Sequence, residues 1–318
     1  MNPSVAWHSG VFRTYLLILA GLLFVAGAIL GVLDWGLGKN IRSIWIIYRS
    51  WLVMIPIGLL AVLLGRVPTI VMFVLLSVFA FKEFARGTGL YKDWWLTGAA
   101  YLAIVALGIS AALPGDAQQV SGHFRLFLSL PAFATAVFLI IPIIRNRTQA
   151  QLQAMALTLF GFVCIGWMFL HLLFLADRRE TLGHLLFFVT AVELSDVAAF
   201  TFGRLFGASR HHLLRSKISP GKTWEGALGG FAVAMALPWM MRFSFPLFGP
   251  LQLILTGVIV GVGGQLGDLA VSVIKRDLGM KDMGNAIPGH GGILDRIDSL
   301  SFAAPFYLHM VNHFYNYW

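Results

Sequence analysis

Long apolar runs, separated by short polar segments, fill almost the whole chain. A helix that crosses a bilayer needs about 20 mostly apolar residues, and ten runs approach or reach that length. The ten predicted spans cover residues 14–33, 44–64, 67–81, 96–113, 126–144, 152–175, 183–205, 227–241, 251–273 and 297–315. The third and the eighth are short, so nine spans is the alternative. The pattern therefore predicts an all-α polytopic integral membrane protein with about nine or ten transmembrane helices.

Composition supports this fold class. Of the 318 residues, 58% are hydrophobic and 12% are charged, whereas soluble domains are about half apolar and about a quarter charged. A water-soluble core could not bury so much apolar surface, which excludes a secreted enzyme, a disordered protein and a soluble nucleic-acid binder. The single cysteine, Cys164, lies in an apolar run and excludes an intramolecular disulfide. We interpret Cys164 as a small buried apolar residue.

Lysine and arginine are distributed unevenly between the two sides of the predicted membrane. Of 23 cations, 17 fall in one alternating set of loops and 6 in the other. Cytoplasmic loops collect Lys and Arg, so the first set, which includes loops 204–226 and 274–296, is predicted to be cytoplasmic. Both termini would then lie outside, and Arg178 and Arg179 run against the rule. In a bacterial cell the protein would lie in the inner or plasma membrane.

The chemistry is concentrated in the second half of the chain. We divide the sequence into N-terminal transmembrane helices, 1–150, and a C-terminal catalytic region, 151–318. Eight of the 14 acidic residues lie between 193 and 298, and Glu193, Asp196 and Asp268 stand inside apolar sequence. An ionisable group in the membrane costs several kcal/mol and marks a functional site by default. The alternative is a structural ion pair with an arginine on a neighbouring helix.

Three aspartates are predicted at the cytoplasmic ends of the last two spans. Asp268 lies near the end of the ninth span, and Asp295 and Asp298 open the tenth with a spacing that places both on one helix face. Carboxylates that converge from two helices suit Mg²⁺. We predict a metal site of Asp268 and Asp295. The alternative for Asp295 and Asp298 is capping of the helix N-terminus.

Loop 274–296 is basic and contains a Gly-His-Gly-Gly turn around His290. Glycine lets backbone N–H groups approach an anion closely, and cations add positive charge. The pattern is typical of a polyphosphate cradle, with a flexible solvated turn as the alternative. The candidate phosphate contacts are Lys275, Arg276, Lys281, His290 and Arg296.

Loop 204–226 ends in Ser-Pro-Gly-Lys-Thr-Trp-Glu-Gly, directly before an apolar helix. Helix N-termini favour phosphate, although the spacing is not that of a P-loop. The candidate substrate contacts in this loop are Ser219, Lys222, Thr223 and Trp224. Trp224 is equally interpretable as an interfacial aromatic residue. Together, the carboxylates and the two basic loops suit Mg²⁺-assisted phosphoryl or nucleotidyl transfer between a soluble polyphosphate and a lipid phosphate.

The stretch from Ser272 to Asp298 resembles the signature of the phosphatidate cytidylyltransferase (CDP-diacylglycerol synthase) family. The matched positions are Ser272, Lys275, Arg276, Lys281, Asp282, Gly284, Pro288, His290, Gly291, Gly292, Asp295, Arg296 and Asp298. The Ser219–Gly226 segment resembles the family's second conserved loop, and Asp196 falls where the family has a membrane aspartate. The resemblance covers roughly residues 190–300.

The chain departs from the family pattern after Asp196. The family usually has Thr and then Tyr in that turn, whereas Val197 and Phe200 stand here. The loop that follows reads Gly207-Ala208-Ser209-Arg210 instead of containing a Gly-Lys pair. The departure leaves the metal and phosphate motifs intact and concerns the identity of the lipid acceptor.

The resemblance implies a reaction in which CTP and phosphatidate give CDP-diacylglycerol and pyrophosphate. It also implies a homodimer, Mg²⁺ together with a monovalent cation such as K⁺, and a cavity open to the cytoplasm and the inner leaflet. Asp268, Asp295 and Asp196 would hold metal, with Lys275, Arg276 and His290 as further catalytic residues. Ser219, Lys222, Thr223, Trp224, Lys281 and Arg296 would bind substrate.

Two alternatives to a cytidylyltransferase remain at this stage. One is a CTP-dependent polyprenol kinase, which would transfer the γ-phosphate of CTP. The other is a transporter or scaffold whose acidic residues line an ion path. A transporter needs polar residues through the depth of the bilayer, whereas here they are crowded at one end of the predicted spans.

Overall fold

The structure is a computed structural model of the chain. It describes residues 7–36, 41–113, 123–176, 179–207, 213–215, 217–315 and 318. The sequence departs from the family pattern at Ala208, Ser209 and Arg210, and these three residues lie outside the described ones. Within those ranges the chain is almost entirely helical, which confirms the predicted all-α class.

Ten long helices make up the described part of the chain. They are α1 (Gly10–Gly31), α2 (Arg42–Leu64), α3 (Arg66–Gly87), α4 (Trp94–Ala112), α5 (Phe124–Ile144), α6 (Gln151–Leu175), α7 (Arg179–Phe206), α8 (Trp224–Met240), α9 (Pro250–Asp277) and α10 (Leu294–Tyr315). Segments of π-helix follow α1 at Val32–Gly36 and interrupt α6 at Phe162–Trp167 and α9 at Ile259–Gly263. Short 3-10 turns lie at Leu90–Lys92 and Arg242–Ser244.

The described ranges contain one β-sheet, which is a small antiparallel hairpin. Strand β1 (Leu213–Arg215) pairs with β2 (Ser219–Thr223), with Leu213 opposite Thr223 and Arg215 opposite Ser219. The hairpin lies between α7 and α8 in the sequence. Part of the segment that was predicted as loop 204–226 therefore forms two β-strands.

Eight of these helices are long and apolar enough to cross a membrane, counted over the described residues. The other two are α8, which has 17 residues, and α10, which carries the charged residues of the signature. The ten helices coincide with the ten predicted spans. The main difference is α3, predicted to end at residue 81, which continues to Gly87. It continues past the charged Lys82 because Phe84 and Ala85 are buried against the rest of the bundle.

The centre of the bundle is built from α6, α7 and α10. Large side chains that are almost completely buried include Phe162 and Phe169 of α6, Phe187 and Phe188 of α7, and Tyr307 of α10. By contrast, only 6% of the most apolar stretch of α1 and of α2 is buried in the bundle. Exposed apolar surface of this extent suits contact with lipid chains.

Glycine allows two helix pairs near the site to approach until their backbones touch. A Cβ atom added to Gly267 of α9 would lie 2.5 Å from the carbonyl oxygen of Asp298 in α10. A Cβ atom added to Gly226 of α8 would lie 2.6 Å from the carbonyl oxygen of Ala199 in α7. Small residues permit this close packing of membrane helices. The contact at Gly267 brings its neighbour Asp268 beside α10.

Candidate active site

The two basic loops meet on one face of the bundle, as the sequence predicts. The Nζ atom of Lys222 lies 2.6 Å from Oδ2 of Asp268. The Nε atom of Arg276 donates a hydrogen bond to the carbonyl oxygen of Ile218 at 3.1 Å. These contacts join the hairpin to the end of α9 and confirm that the two loops share a face.

Local structure places Lys222 at the end of β2, directly before α8. The next residue, Thr223, is the N-cap of α8, because its Oγ1 atom accepts a hydrogen bond from the backbone N–H of Gly226 at 3.2 Å. A threonine at this position satisfies one of the free N–H groups of the first turn. Thr223 is therefore occupied as a helix cap, and Lys222 is the residue of this segment that reaches the carboxylates.

Three aspartates from three helices form the acidic part of the site. Asp196 of α7, Asp268 of α9 and Asp298 of α10 interact electrostatically with one another. Ser299 donates to Oδ2 of Asp196 at 3.1 Å, and Ser272 donates to Oδ1 of Asp268 at 3.2 Å. The sequence predicts Asp196 and Asp268 in this cluster, and the structure adds Asp298.

Asp295 has a different environment from the other aspartates. Its Oδ1 atom lies 2.9 Å from Nζ of Lys275, and the side chain is 4% exposed. Its Oδ2 atom accepts hydrogen bonds from the backbone N–H groups of Met283 at 3.1 Å and Gly292 at 2.9 Å. The predicted role of Asp295 as a metal ligand stays a prediction, since both oxygens already have partners that organise the adjacent loop.

We call residues 278–293, between α9 and α10, the signature loop. Gly289 and Gly291 have φ angles of 76° and 79°, in the left-handed region that glycine adopts most easily. They turn the chain on both sides of His290, and an isolated bridge pairs Ile287 with Gly291. Burial, followed by the positive charge of Arg296, lowers the pKa of His290. The imidazole is therefore neutral near pH 7 and contributes hydrogen bonding rather than charge.

Helix α2 holds the outer part of the signature loop. Ser50 donates a hydrogen bond to the carbonyl oxygen of Pro288 at 2.7 Å. The ring of Trp51 lies edge-on to that of His290, with 5.5 Å between centroids. The region 1–150, to which the sequence alone assigned no role, therefore contributes directly to the site.

Helix α3 holds the inner end of the same loop through Glu83. Its two carboxylate oxygens accept hydrogen bonds from the backbone N–H groups of Ile293 at 3.0 Å and Leu294 at 2.9 Å. Glu83, not Asp298, therefore caps the start of α10; Asp298 accepts from its neighbour Ser299. Sequence reasoning missed Glu83 because the predicted third span ended before it. An acidic residue at the end of an apolar run was the available signal.

The remaining predicted site residues are dispersed around this centre. Arg296 interacts electrostatically with Glu193, Asp196 and His290. Trp224 is 49% exposed. Arg276 donates to backbone carbonyl groups, and Lys281 is exposed on the signature loop. Ser219 begins β2.

Val197 and Phe200, where the chain departs from the family pattern, point away from the carboxylates. Both side chains are largely exposed on the surface of α7. The departure therefore changes an outer face of α7 and leaves the contacts of Asp196 with Ser299 in place.

A partly open apolar cavity of about 50 Å³ reaches the carboxylate cluster. Residues from α3, α6, α9 and α10 line it, including Phe84, Met168 and Phe302. Asp298 is part of the lining. Cys164 also lines the cavity and is only partly buried, in contrast to the buried position predicted for it.

The carboxylates of the cluster offer oxygen donors to a metal ion. In the described ranges, no group of three or more His, Cys, Asp or Glu side chains is arranged to hold a metal alone. Mg²⁺ is usually bound by one or two carboxylates together with substrate phosphates and water. The oxygen donors of Asp268 and its neighbours fit that mode of binding, and the ammonium of Lys222 already lies against one of them.

Comparison with known proteins identifies the family. A model of the cytidylyltransferase family matches residues 45–314. The chain belongs to this family. The match extends well beyond the signature and includes α2 and α3, the helices that hold the signature loop.

Two of the similar proteins are themselves named as cytidylyltransferases. The phosphatidate cytidylyltransferase of Staphylococcus saprophyticus is 40% identical over 207 residues, which is 64% of this chain and 75% of the relative. That of Staphylococcus aureus is 40% identical over 192 residues, or 59% and 71% of the two chains. The uncharacterized protein YnbB of Escherichia coli is 30% identical over 253 residues, or 77% and 79%.

The contacts of Asp295 predict a structural effect of its substitution. Asp295→Asn keeps the size of the side chain but removes the carboxylate charge that pairs directly with the buried ammonium of Lys275. Loss of one partner of a buried ion pair costs about 3–5 kcal/mol. We expect a decrease of that size in the free energy of unfolding, measured by denaturant titration in detergent micelles. Asp277→Asn, at an exposed position of α9, is the control; equal stability of the two variants would contradict this role.

Proposed function

We propose that this chain transfers the cytidylyl group of CTP to phosphatidate and forms CDP-diacylglycerol and pyrophosphate. Membership of the cytidylyltransferase family and the names of the staphylococcal relatives support this reaction. The observation that carries it is the meeting of a carboxylate cluster, two basic loops and an apolar cavity at one point of the bundle. A soluble polyphosphate and a lipid phosphate could both reach such a point.

The reaction makes one bond and breaks one. A phosphate oxygen of phosphatidate attacks the α-phosphorus of CTP, and the bond between the α-phosphorus and the oxygen leading to the β-phosphate breaks. Pyrophosphate leaves with the electron pair of that bond. The attacking oxygen is already anionic, so no strong base is needed. The main barrier is repulsion between anions, which positioning and charge neutralisation reduce.

The basic residues of the two loops perform this neutralisation. Lys222 lies at the junction of the hairpin with α9, 2.6 Å from Asp268, and can exchange that carboxylate for a substrate phosphate. Lys281 adds positive charge on the signature loop, and His290, where left-handed glycines turn the backbone, adds hydrogen bonding. Lys275 remains paired with Asp295 and keeps the base of the loop in place.

Mg²⁺ is the cofactor that we propose for this site. It would be held by Asp268 with Asp298 or Asp196, and when bound it would neutralise charge on the CTP phosphates. The ligand role that the sequence predicts for Asp295 stays a prediction. A monovalent cation such as K⁺ and a homodimer, both implied by the family resemblance, stay predictions.

We propose that the apolar cavity contacts part of one acyl chain of phosphatidate. Its lining includes Asp298, so a lipid whose tail lies against the cavity would present its phosphate to the carboxylate cluster and its cations. This arrangement keeps the charged headgroup at the end of the helices and the tail in hydrocarbon. The polar site residues at that end favour this interpretation over an ion path through the bilayer.

A labelling experiment separates this reaction from that of a lipid kinase. With phosphatidate present, label from [α-³²P]CTP should enter the lipid fraction, with pyrophosphate released in equal amount. The physical reason is that cleavage occurs between the α- and β-phosphates. Incubation without phosphatidate is the control. Entry of label from [γ-³²P]CTP alone, with CDP left in solution, would replace the proposal with a CTP-dependent polyprenol or lipid kinase.

Substitution of the clustered aspartates tests the metal assignment. Asp268→Asn and Asp298→Asn should each lower turnover by about two orders of magnitude, the loss typical of removing a charge-stabilising group. Both should also raise the Mg²⁺ concentration needed for half-maximal activity. Steady-state assays over a Mg²⁺ series measure both quantities, with Asp277→Asn as the control of equal charge change. Near-normal activity at saturating Mg²⁺ would exclude these residues as ligands.

We propose that the site faces the cytoplasm of a bacterial cell. The loops on that side carry 17 Lys and Arg residues, whereas the loops on the other side carry 6, which supports this orientation. In a Cys164→Ser background, Lys217→Cys and Asn285→Cys should react with a membrane-impermeant maleimide in inverted vesicles. Leu247→Cys, at an exposed position between α8 and α9, is the control from the opposite side. Reaction of Lys217→Cys in intact cells would contradict the orientation.

A further inference from the structure

We infer that Glu83 of α3 is a positioning residue that sets the conformation in which the signature loop meets the nucleotide. Glu83 belongs to the N-terminal half of the chain and lies outside the signature. Its carboxylate touches the loop backbone and none of the clustered aspartates. The part of this inference that concerns CTP rests on the function proposed above.

The first argument is the geometry of the two hydrogen bonds. Oε1 of Glu83 accepts from the N–H of Ile293 at 3.0 Å, and Oε2 accepts from the N–H of Leu294 at 2.9 Å. These N–H groups open α10, where no intrahelical acceptor is available. A carboxylate there also meets the positive end of the helix dipole. Charge-assisted bonds of this kind are roughly twice as strong as neutral ones.

The second argument is the fit of the loop around this carboxylate. A Cβ atom added to Gly284 would lie 2.5 Å from Oε1 of Glu83, and one added to Gly292 would clash with Oε2. No larger residue fits at either position unless the carboxylate moves. A Cβ atom added to Gly87, one turn further along α3, would lie 3.1 Å from Cε of Met280 and 3.4 Å from Cε of Met283. The last turns of α3 and the signature loop are therefore complementary surfaces.

The third argument is the connection to the charged centre. Three consecutive backbone N–H groups donate hydrogen bonds to two carboxylates. The N–H of Gly292 donates to Asp295, and the N–H groups of Ile293 and Leu294 donate to Glu83. Asp295 is also paired with Lys275. A shift of Glu83 would therefore move the entry of the signature loop into α10. The residues carried by this loop and by the first turn of α10 would move with it.

These contacts lead to a specific expectation for substrate kinetics. Glu83→Gln keeps the shape of the side chain but turns one oxygen acceptor into an NH₂ group that faces a backbone N–H. The KM for CTP should rise about tenfold, the fold-change that corresponds to the loss of one charge-assisted hydrogen bond. The KM for phosphatidate should change less, because no residue of the signature loop itself lines the apolar cavity.

The decisive experiment measures amide hydrogen exchange together with these kinetics on the purified full-length protein. In Glu83→Gln, exchange should increase across residues 280–294 and stay unchanged in α7 and α8. Glu180→Gln, a substitution of the same type at an exposed position at the start of α7, is the matched control. It should leave exchange, both KM values and kcat unchanged.

The outcomes separate positioning from general stability and from the proposed reaction. Exchange in residues 280–294 and a KM for CTP equal to those of the wild type would overturn the inference, as would an equal increase of exchange in all helices. If Glu83→Gln does not fold, Gly284→Ala gives the same test, because its Cβ would displace the carboxylate. If the wild type fails to convert CTP and phosphatidate, the proposed function fails, while the exchange measurement still decides the role of Glu83.

Discussion

A carboxylate placed among apolar helices must find cations or N–H groups, because burying an unpaired charge is costly. In this protein the signature loop supplies both. Asp295 binds Lys275 and two loop N–H groups, and Glu83 binds two more at the start of α10. Because these two carboxylates bond to the loop, they hold it against the bundle. The loop in turn brings its glycines and cations to the carboxylates that remain available for substrate.

Close helix contacts make the second contribution. Gly267 allows the backbone of α9 to touch α10, and Gly226 allows α8 to touch α7. Asp268, Asp298 and Asp196 therefore come together from three different helices, and Lys222 of β2 reaches Asp268. A methyl group at either glycine would separate the helices that carry the charges.

The N-terminal half is part of the same construction. Its first two helices have few buried residues and suit contact with lipid, yet α2 holds the outer part of the signature loop and α3 holds its inner end. The family match from residue 45 onward agrees with this, since it includes α2 and α3. The division into membrane helices 1–150 and a catalytic region 151–318 is therefore incomplete as a description of where the site is built.

The sequence by itself determined the membrane class, the ten helices, the family and the two loops, because these depend on local patterns. Apolar runs of sufficient length define the spans, and the spacing of Lys275 to Asp298 defines the signature. The tertiary structure decided which acids share the cluster. Asp295 and Asp298 stand on one face of α10 with similar surroundings in sequence, yet Lys275 and two N–H groups occupy the first while the second meets Asp196 and Asp268. Glu83 likewise acquired a role only through a contact with residues 210 and 211 positions away. Spacing along one helix cannot reveal such partners, because they are set by the approach of other helices.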